Sequence, residues 1–168
     1  MATTITIPDP ALVLLIGPAG AGKSTFAAEH FKPVEIVSSD QLRGLLANDP
    51  ADQTASADAF RILTLILAGR LKRRLTTVVD ATSLRAANRR RYRALAARHG
   101  VPVAAIAFDM SPHTYHARNR DRSGRVVDDY VVERQIEMMA MALAALPGEG
   151  YAAMHVLRDG DEVAVERG

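Results

Sequence analysis

The residues of this chain with the most obvious chemical purpose are the eight of GPAGAGKS, Gly17 to Ser24. Two glycines separated by four residues, followed by a lysine and a hydroxyl, have the spacing of a loop that cradles phosphates. The glycines let successive backbone N–H groups turn inward. A helix that starts at the lysine adds its positive N-terminus to the same anion. Lys23 is placed to reach the β and γ phosphates of a nucleoside triphosphate, and the Ser24 hydroxyl suits Mg²⁺. Gly17, Gly20, Gly22 and Thr25 complete the expected nucleotide-binding set. An apolar run, Ala11 to Ile16, precedes the loop and a helix-prone run follows. This strand–loop–helix context makes a ligand-free turn a poor explanation. The expected cofactors are therefore ATP or another nucleoside triphosphate, with Mg²⁺.

Such a loop serves switches and motors as well as kinases. The guanine-reading pattern Asn-Lys-x-Asp is absent from the chain, and a motor is usually longer. A kinase needs a group that orients or deprotonates the acceptor hydroxyl beside the γ phosphate. In a parallel α/β sheet, ligands lie beyond the carboxyl ends of the strands, and two carboxylates fall there. Asp40 follows the second strand in SSDQLR, and Asp80 ends the third in VVDAT. Asp40 would serve as the base. Its competing explanation is helix capping before Gln41. Asp80 would stand behind the metal, as a ligand directly or through water, and competes with a turn-forming aspartate. Arg43, one helical turn beyond Asp40, suits an acceptor that carries a phosphate of its own. A surface arginine would also fit that spacing. ARNRDRSGR supplies Arg118, Arg120, Arg122 and Arg125, the composition of an arginine-rich lid over transferring phosphates. A solvated basic helix is the alternative.

The elements that must position these groups alternate. Short apolar runs at 11–16, 34–37, 76–79, 101–108 and 151–157 read as strands. Between them the spacing predicts helices over about 23–30, 41–47, 56–75, 85–99, 112–122 and 126–146, with 163–166 as a final edge strand. The segment 48–54, with Pro50, reads as a loop. The result is an α/β P-loop NTPase domain of the nucleoside-kinase type. Its mostly parallel sheet is flanked by helices, and its lid spans about 112–127. With 168 residues and no linker or repeat, one domain covering 1–168 is expected.

Composition narrows the classes. The absence of cysteine removes thiol catalysis, disulfides and zinc–thiolate sites. The N-terminus lacks a signal-peptide pattern and no run is long enough for a membrane span, so a cytoplasmic protein without membrane contact is expected. A formal net charge of +2 gives only a weak overall field. Lysine is rare, which makes Lys23 conspicuous, whereas arginine is so common that a single one says little. The runs Arg70 to Arg74 and Arg89 to Arg93 could touch a nucleic-acid backbone, though solvated helix faces explain them more simply. His113 and His116 lack the further ligands of a metal site. Met138, Met139 and Met141 read as helix packing.

Taken together and in order, GPAGAGKSTFA, HFKP, SSDQLRGL, NDPADQTAS, VVDAT and RNRDRSGRVVDDYVVERQ resemble the kinase domain of bacterial polynucleotide kinase-phosphatase. The resemblance runs from about Leu12 to Arg167. It implies phosphorylation of a 5′-OH end of RNA or DNA, as in the healing of broken strands. It further implies Lys23 and Ser24 at the triphosphate and metal, and Asp40 as general base. Arg43 and Gln53 would hold the phosphate that follows the 5′ nucleotide, and Arg118 and Arg125 would be lid arginines on the nucleotide. The family pattern Asp-Ala-Thr-Asn is broken here by Ser83. In that family a phosphatase and a ligase-like domain follow the kinase. The oligomeric state is left open. Two other readings stand beside this one. A kinase of a sugar or antibiotic hydroxyl would leave Arg43 and Gln53 without a phosphate to hold. A non-catalytic nucleotide-binding module would have no use for Asp40.

Overall fold

The computed structural model describes residues 2–122 and 126–168. Among these residues, seven strands and six α-helices follow in chain order. They are β1 (Thr3–Ile7), β2 (Leu12–Ile16), α1 (Lys23–His30), β3 (Ile36–Ser38), α2 (Ser39–Ala47), α3 (Ser56–Lys72), β4 (Thr77–Asp80), α4 (Ala86–Arg98), β5 (Val103–Asp109), α5 (Pro112–Arg120), α6 (Asp129–Ala145), β6 (Ala153–Arg158) and β7 (Val163–Arg167). Five strands form a parallel sheet in the order β3-β4-β2-β5-β6. The chain is thus a single α/β domain with helices on both faces of a parallel sheet.

The alternation of β2 shows how the layers are built. Leu12, Leu14 and Ile16 point into one core with Leu63, Leu67 and Leu71 of α3 and Tyr92 and Ala96 of α4. Val13 and Leu15 point into the other, with Phe26 and Ala27 of α1 and Tyr115 of α5. A central parallel strand is covered on both faces, so its sequence is continuously apolar. Every strand of this sheet runs the same way, which brings the carboxyl ends of β2, β3 and β4 to one edge.

Three local differences from the sequence expectation have clear causes. TTITI at the N-terminus is a strand, β1, paired in parallel with β7 in a separate two-stranded sheet. Only Ile5 and Ile7 of β1 are buried, so its apolar signal is weak. Pro33 to Glu35 form a 3₁₀ turn, because proline suits the first helical position, and β3 starts only at Ile36. The N-cap of α2 is Ser38, whose Oγ accepts from Gln41 N at 3.2 Å. Asp40 lies inside the first turn and is not used as the cap.

Candidate functional site

The phosphate loop between β2 and α1 is held by its own lysine. Lys23 Nζ donates to the carbonyl oxygens of Gly17 and Pro18, each at 2.8 Å. Gly20 and Gly22 have φ of +78° and +94°, the left-handed region that side chains disfavour. Gly20 has a second reason to be glycine: a Cβ there would lie 3.0 Å from Asn119 N and closer still to the Tyr115 carbonyl oxygen. Helix α5 therefore packs backbone to backbone on the loop. Arg118 of α5 donates from Nη1 to Ala21 O at 2.9 Å. From α6, Gln135 Oε1 accepts from Ala19 N at 2.8 Å. Gly22 caps α1 without a side-chain bond, which leaves the helix N-terminus facing the loop.

Ser24 and Asp80 form the second part of the site. Ser24 Oγ donates to Asp80 Oδ2 at 2.8 Å, joining the start of α1 to the end of β4. Burial pushes the Asp80 carboxyl up from its ordinary value, while the Ser24 bond and Lys23 pull the other way. A hydroxyl and a carboxylate are hard oxygen donors of the kind Mg²⁺ takes alongside its waters and substrate phosphates. The residues present fit the ion. Among the described residues no group of three or more His, Asp or Glu forms a cage for a metal.

The third part lies at the start of α2. Asp40 Oδ1 is paired with Arg43 Nη2, and Asp40 Oδ2 lies 3.4 Å from Arg122 Nη2. Arg43 is buried, and its Nε donates to Pro50 O at 2.9 Å, so it is no surface arginine. It ties α2 to the loop that the sequence places at 48–54. Lys23, Ser24, Thr25, Asp40, Arg43, Asp80, Arg118 and Arg122 all line one cleft of about 1050 Å³ with Gly20 and Gly22. Gln53 is at its rim, exposed, with Nε2 on Ala51 O at 3.3 Å. Gly17 contributes its carbonyl behind the loop rather than a surface in the cleft.

The structure adds residues that sequence reasoning did not single out. Gln135 steadies the loop, and Phe60, Arg85, Asn88 and Met138 line the same cleft. Arg122 was one of four arginines in a cluster, with nothing in its spacing to mark it as the one that meets Asp40. Arg120 is exposed outside the cleft, and Arg125 lies outside the described residues. Ser83 takes φ of +50°, is buried, and leaves its hydroxyl without a partner. That left-handed conformation is one asparagine tolerates better than serine.

Much of the remaining arginine is structural. Arg70 bonds Thr77 Oγ1 and Thr76 O, Arg74 bonds the carbonyls of His99 and Gly100, and buried Arg89 pairs with Glu149. His116 sits 3.4 Å from both Asp129 and Glu133. Met139 packs in the core, but Met141 is exposed. No helix among the described residues is long and apolar enough to cross a membrane.

The fold has known counterparts. A chain of a Pnkp1/Rnl/Hen1 RNA repair complex superposes with a TM-score of 0.70 at 17% identity, covering 82% of this chain and 46% of that one. The present chain thus spans about half the length of that protein. A gluconokinase from Sinorhizobium meliloti 1021 gives 0.55 at 18% identity, with 92% and 86% covered. The Mycobacterium tuberculosis APS kinase CysC, in complex with AMPPNP and APS, gives 0.56 at 18%, with 93% and 92% covered. At these identities the likeness is one of fold, and the fold is that of P-loop kinases. No curated protein sequence matches the chain. The model of the AAA_33 family, described as an AAA domain, matches residues 12–146. With most of its length matched, including the phosphate loop and both candidate carboxylates, the chain belongs to the AAA_33 family of P-loop domains.

Proposed function

We propose that this chain transfers the γ phosphate of a nucleoside triphosphate, ATP in the first instance, to the 5′-OH end of a polynucleotide. The observation that carries this reading is the pairing of Asp40 with buried Arg43 in the same cleft as the phosphate loop. A carboxylate freed from capping by Ser38, with a fixed guanidinium beside it, offers a base and a phosphate-binding group side by side. A 5′-OH followed by a phosphodiester presents the matching pair.

In this reading the triphosphate lies on the loop amides and the N-terminus of α1. Lys23 exchanges its loop carbonyls for the β and γ phosphates. Ser24 and Asp80 would hold Mg²⁺, which would supply positive charge to neutralise the phosphates. The acceptor O5′ attacks the γ phosphorus in line with the departing β–γ bridging oxygen. The O–P bond to the acceptor forms as the bridging O–P bond breaks, and Asp40 takes the acceptor proton. Arg43 and Gln53 hold the phosphate on the far side of the acceptor sugar. Arg118, already on the loop, and Arg125 balance charge on the transferring group.

A kinase of a neutral small-molecule hydroxyl is the second reading. It is favoured by one feature: Arg43 already spends Nε on Pro50 and Nη2 on Asp40, which limits what it can offer a substrate. Incubation with γ-labelled ATP, Mg²⁺ and a 5′-OH oligonucleotide separates the two. Label on the oligonucleotide, lost in Lys23→Ala, supports the proposal. An unlabelled oligonucleotide with ATP consumed only when a sugar is added overturns it.

A further inference from the structure

Asp40 is gripped by two arginines that are set with unequal firmness. Arg43 holds Oδ1; it is buried, and its Nε is tied to Pro50 O. Arg122 holds Oδ2 from Nη2 at 3.4 Å, and its side chain is 30% exposed. Among the described residues Asp40 is the only hydrogen-bond or ion-pair partner of the Arg122 guanidinium. The backbone of Arg122, by contrast, is anchored. Its N–H donates to Asn119 O at 3.3 Å, and buried Asn119 is itself bonded to Val127. A side chain that turns on a fixed backbone can change partners without moving α5.

A second partner for Arg122 would come close by. Burial is the main cause that raises the Asp80 carboxyl; Asp40 raises it further and Arg122 lowers it. Arg122 and Asp40 therefore act on the same corner as Ser24 and Asp80, where the donor phosphates would lie. A triphosphate carries more negative charge than one carboxylate, and a guanidinium pairs with phosphate oxygens through the same planar fork. The acceptor hydroxyl, for its part, must reach an Asp40 oxygen. Donor and acceptor thus have opposite interests in the Arg122–Asp40 pair: one draws the arginine away, and the other gains from its departure.

We infer that Arg122 couples the two substrates, exchanging Asp40 Oδ2 for the phosphates of the donor and so yielding that oxygen to the acceptor hydroxyl. The inference rests on the polynucleotide-kinase reading and deepens it: the donor prepares the base for the acceptor. Arg43 stays in place throughout and keeps the carboxylate oriented. Coupling of this kind is reciprocal, so the acceptor must favour the donor by the same factor.

The test measures binding of a 3′-fluorescein-labelled 5′-OH 12-mer by anisotropy, with and without AMPPNP and Mg²⁺. It compares the wild type with Arg122→Ala and Arg122→Lys. AMPPNP should tighten wild-type binding of the 12-mer by about fivefold. That is the upper end for a part-exposed ion pair and the lower end for coupled sites. The 12-mer should tighten AMPPNP binding equally. Without nucleotide, Arg122→Ala should bind the 12-mer more tightly than the wild type does, and AMPPNP should then add almost nothing. Arg122→Lys, which keeps the charge without the fork, should retain part of the coupling. An arginine that merely steadies the fold would leave the coupling factor unchanged in Arg122→Ala, and that result overturns the inference. So does a wild type without coupling, or weaker nucleotide-free binding by Arg122→Ala than by the wild type. A 12-mer that binds none of the three proteins, all of which bind AMPPNP, overturns the polynucleotide reading and the inference with it.

Discussion

Asp40 sits between Arg43 and Arg122, and Asp40 and Arg43 can be separated by experiment. Asp40→Asn keeps the shape of the first turn of α2, whose cap is Ser38, and should leave nucleotide affinity almost unchanged. If Asp40 takes the acceptor proton, turnover should fall by about 10² to 10⁴-fold, or about 3 to 5 kcal/mol in the barrier. Arg43→Ala should show a loss that depends on the acceptor. An oligonucleotide or nucleoside 3′-monophosphate should suffer a large drop in kcat/KM, and a plain nucleoside almost none. Equal losses on all three would remove Arg43 from substrate recognition. Ser83 gives a prediction about stability. Ser83→Gly relieves a left-handed φ and deletes a buried hydroxyl that has no partner. The gain is partly offset by the added freedom of the unfolded chain. A net stabilisation of about 1 kcal/mol is expected in urea unfolding. An unchanged or lower midpoint would mean that the hydroxyl is satisfied in solution.

At the scale of elements, the central contact is between α5 and the phosphate loop. The Gly20 Cα faces the backbone of Tyr115 and Asn119. The buried side chain of Asn119 bonds both the N–H and the carbonyl of Val127, so α5 is joined to the loop on one side and to the approach to α6 on the other. Gly20→Ala has no room and needs an unfavourable φ. It should cost about 1–3 kcal/mol of stability and, by prising α5 away, raise the KM for the nucleotide. A variant with wild-type KM would show that the loop adapts without its helix. The sequence made the helices of this region legible through Pro112 at the start of α5 and Pro147 after α6. It could not show that Gly20 is required by a neighbouring backbone as well as by its own φ. Within the P-loop pattern Gly20 fills a variable position, and only the fold reveals what lies against it. The same holds for Arg43. Its spacing from Asp40 is visible in sequence, but its burial and its bond to Pro50 depend on how the 48–54 loop folds back. TTITI fails for the opposite reason: its single covered face gives too few apolar residues to stand out until β7 is beside it.

At the scale of the whole molecule, the small β1–β7 sheet is tied to the main body through Arg167. Its guanidinium donates to both carboxylate oxygens of Glu35 at 2.7 Å and lies over the Phe31 ring at 5.0 Å. The Arg167 hydrogen bond chiefly holds the Glu35 carboxyl below its ordinary value. A depressed carboxylate stabilises the fold above its unfolded value of 4.5, and that stability is lost as pH falls through the lower folded value. Arg167→Ala should therefore destabilise the protein at neutral pH by about 1–3 kcal/mol, leaving a mostly buried carboxylate without its partner. The difference between variant and wild type should shrink on acidification below pH 4.5. A constant difference across that range would mean that packing on Phe31, rather than charge, is what Arg167 supplies.

The pairing of β1 with β7 also sets a timetable. Thr3 aligns with Val163 and Ile7 with Arg167, so β1 leaves the ribosome long before the strand it pairs with. The five-stranded sheet needs nothing beyond β6, and it can assemble while β1 is still single. Closing so long a loop costs only a little more entropy than closing a shorter one, but it happens late. Until translation passes Val163, Ile5 and Ile7 lie along an open edge that any passing strand could borrow. Ribosome-stalled chains cut before and after that point should therefore differ sharply in protease resistance at β1, even though the nucleotide loop is already built in both.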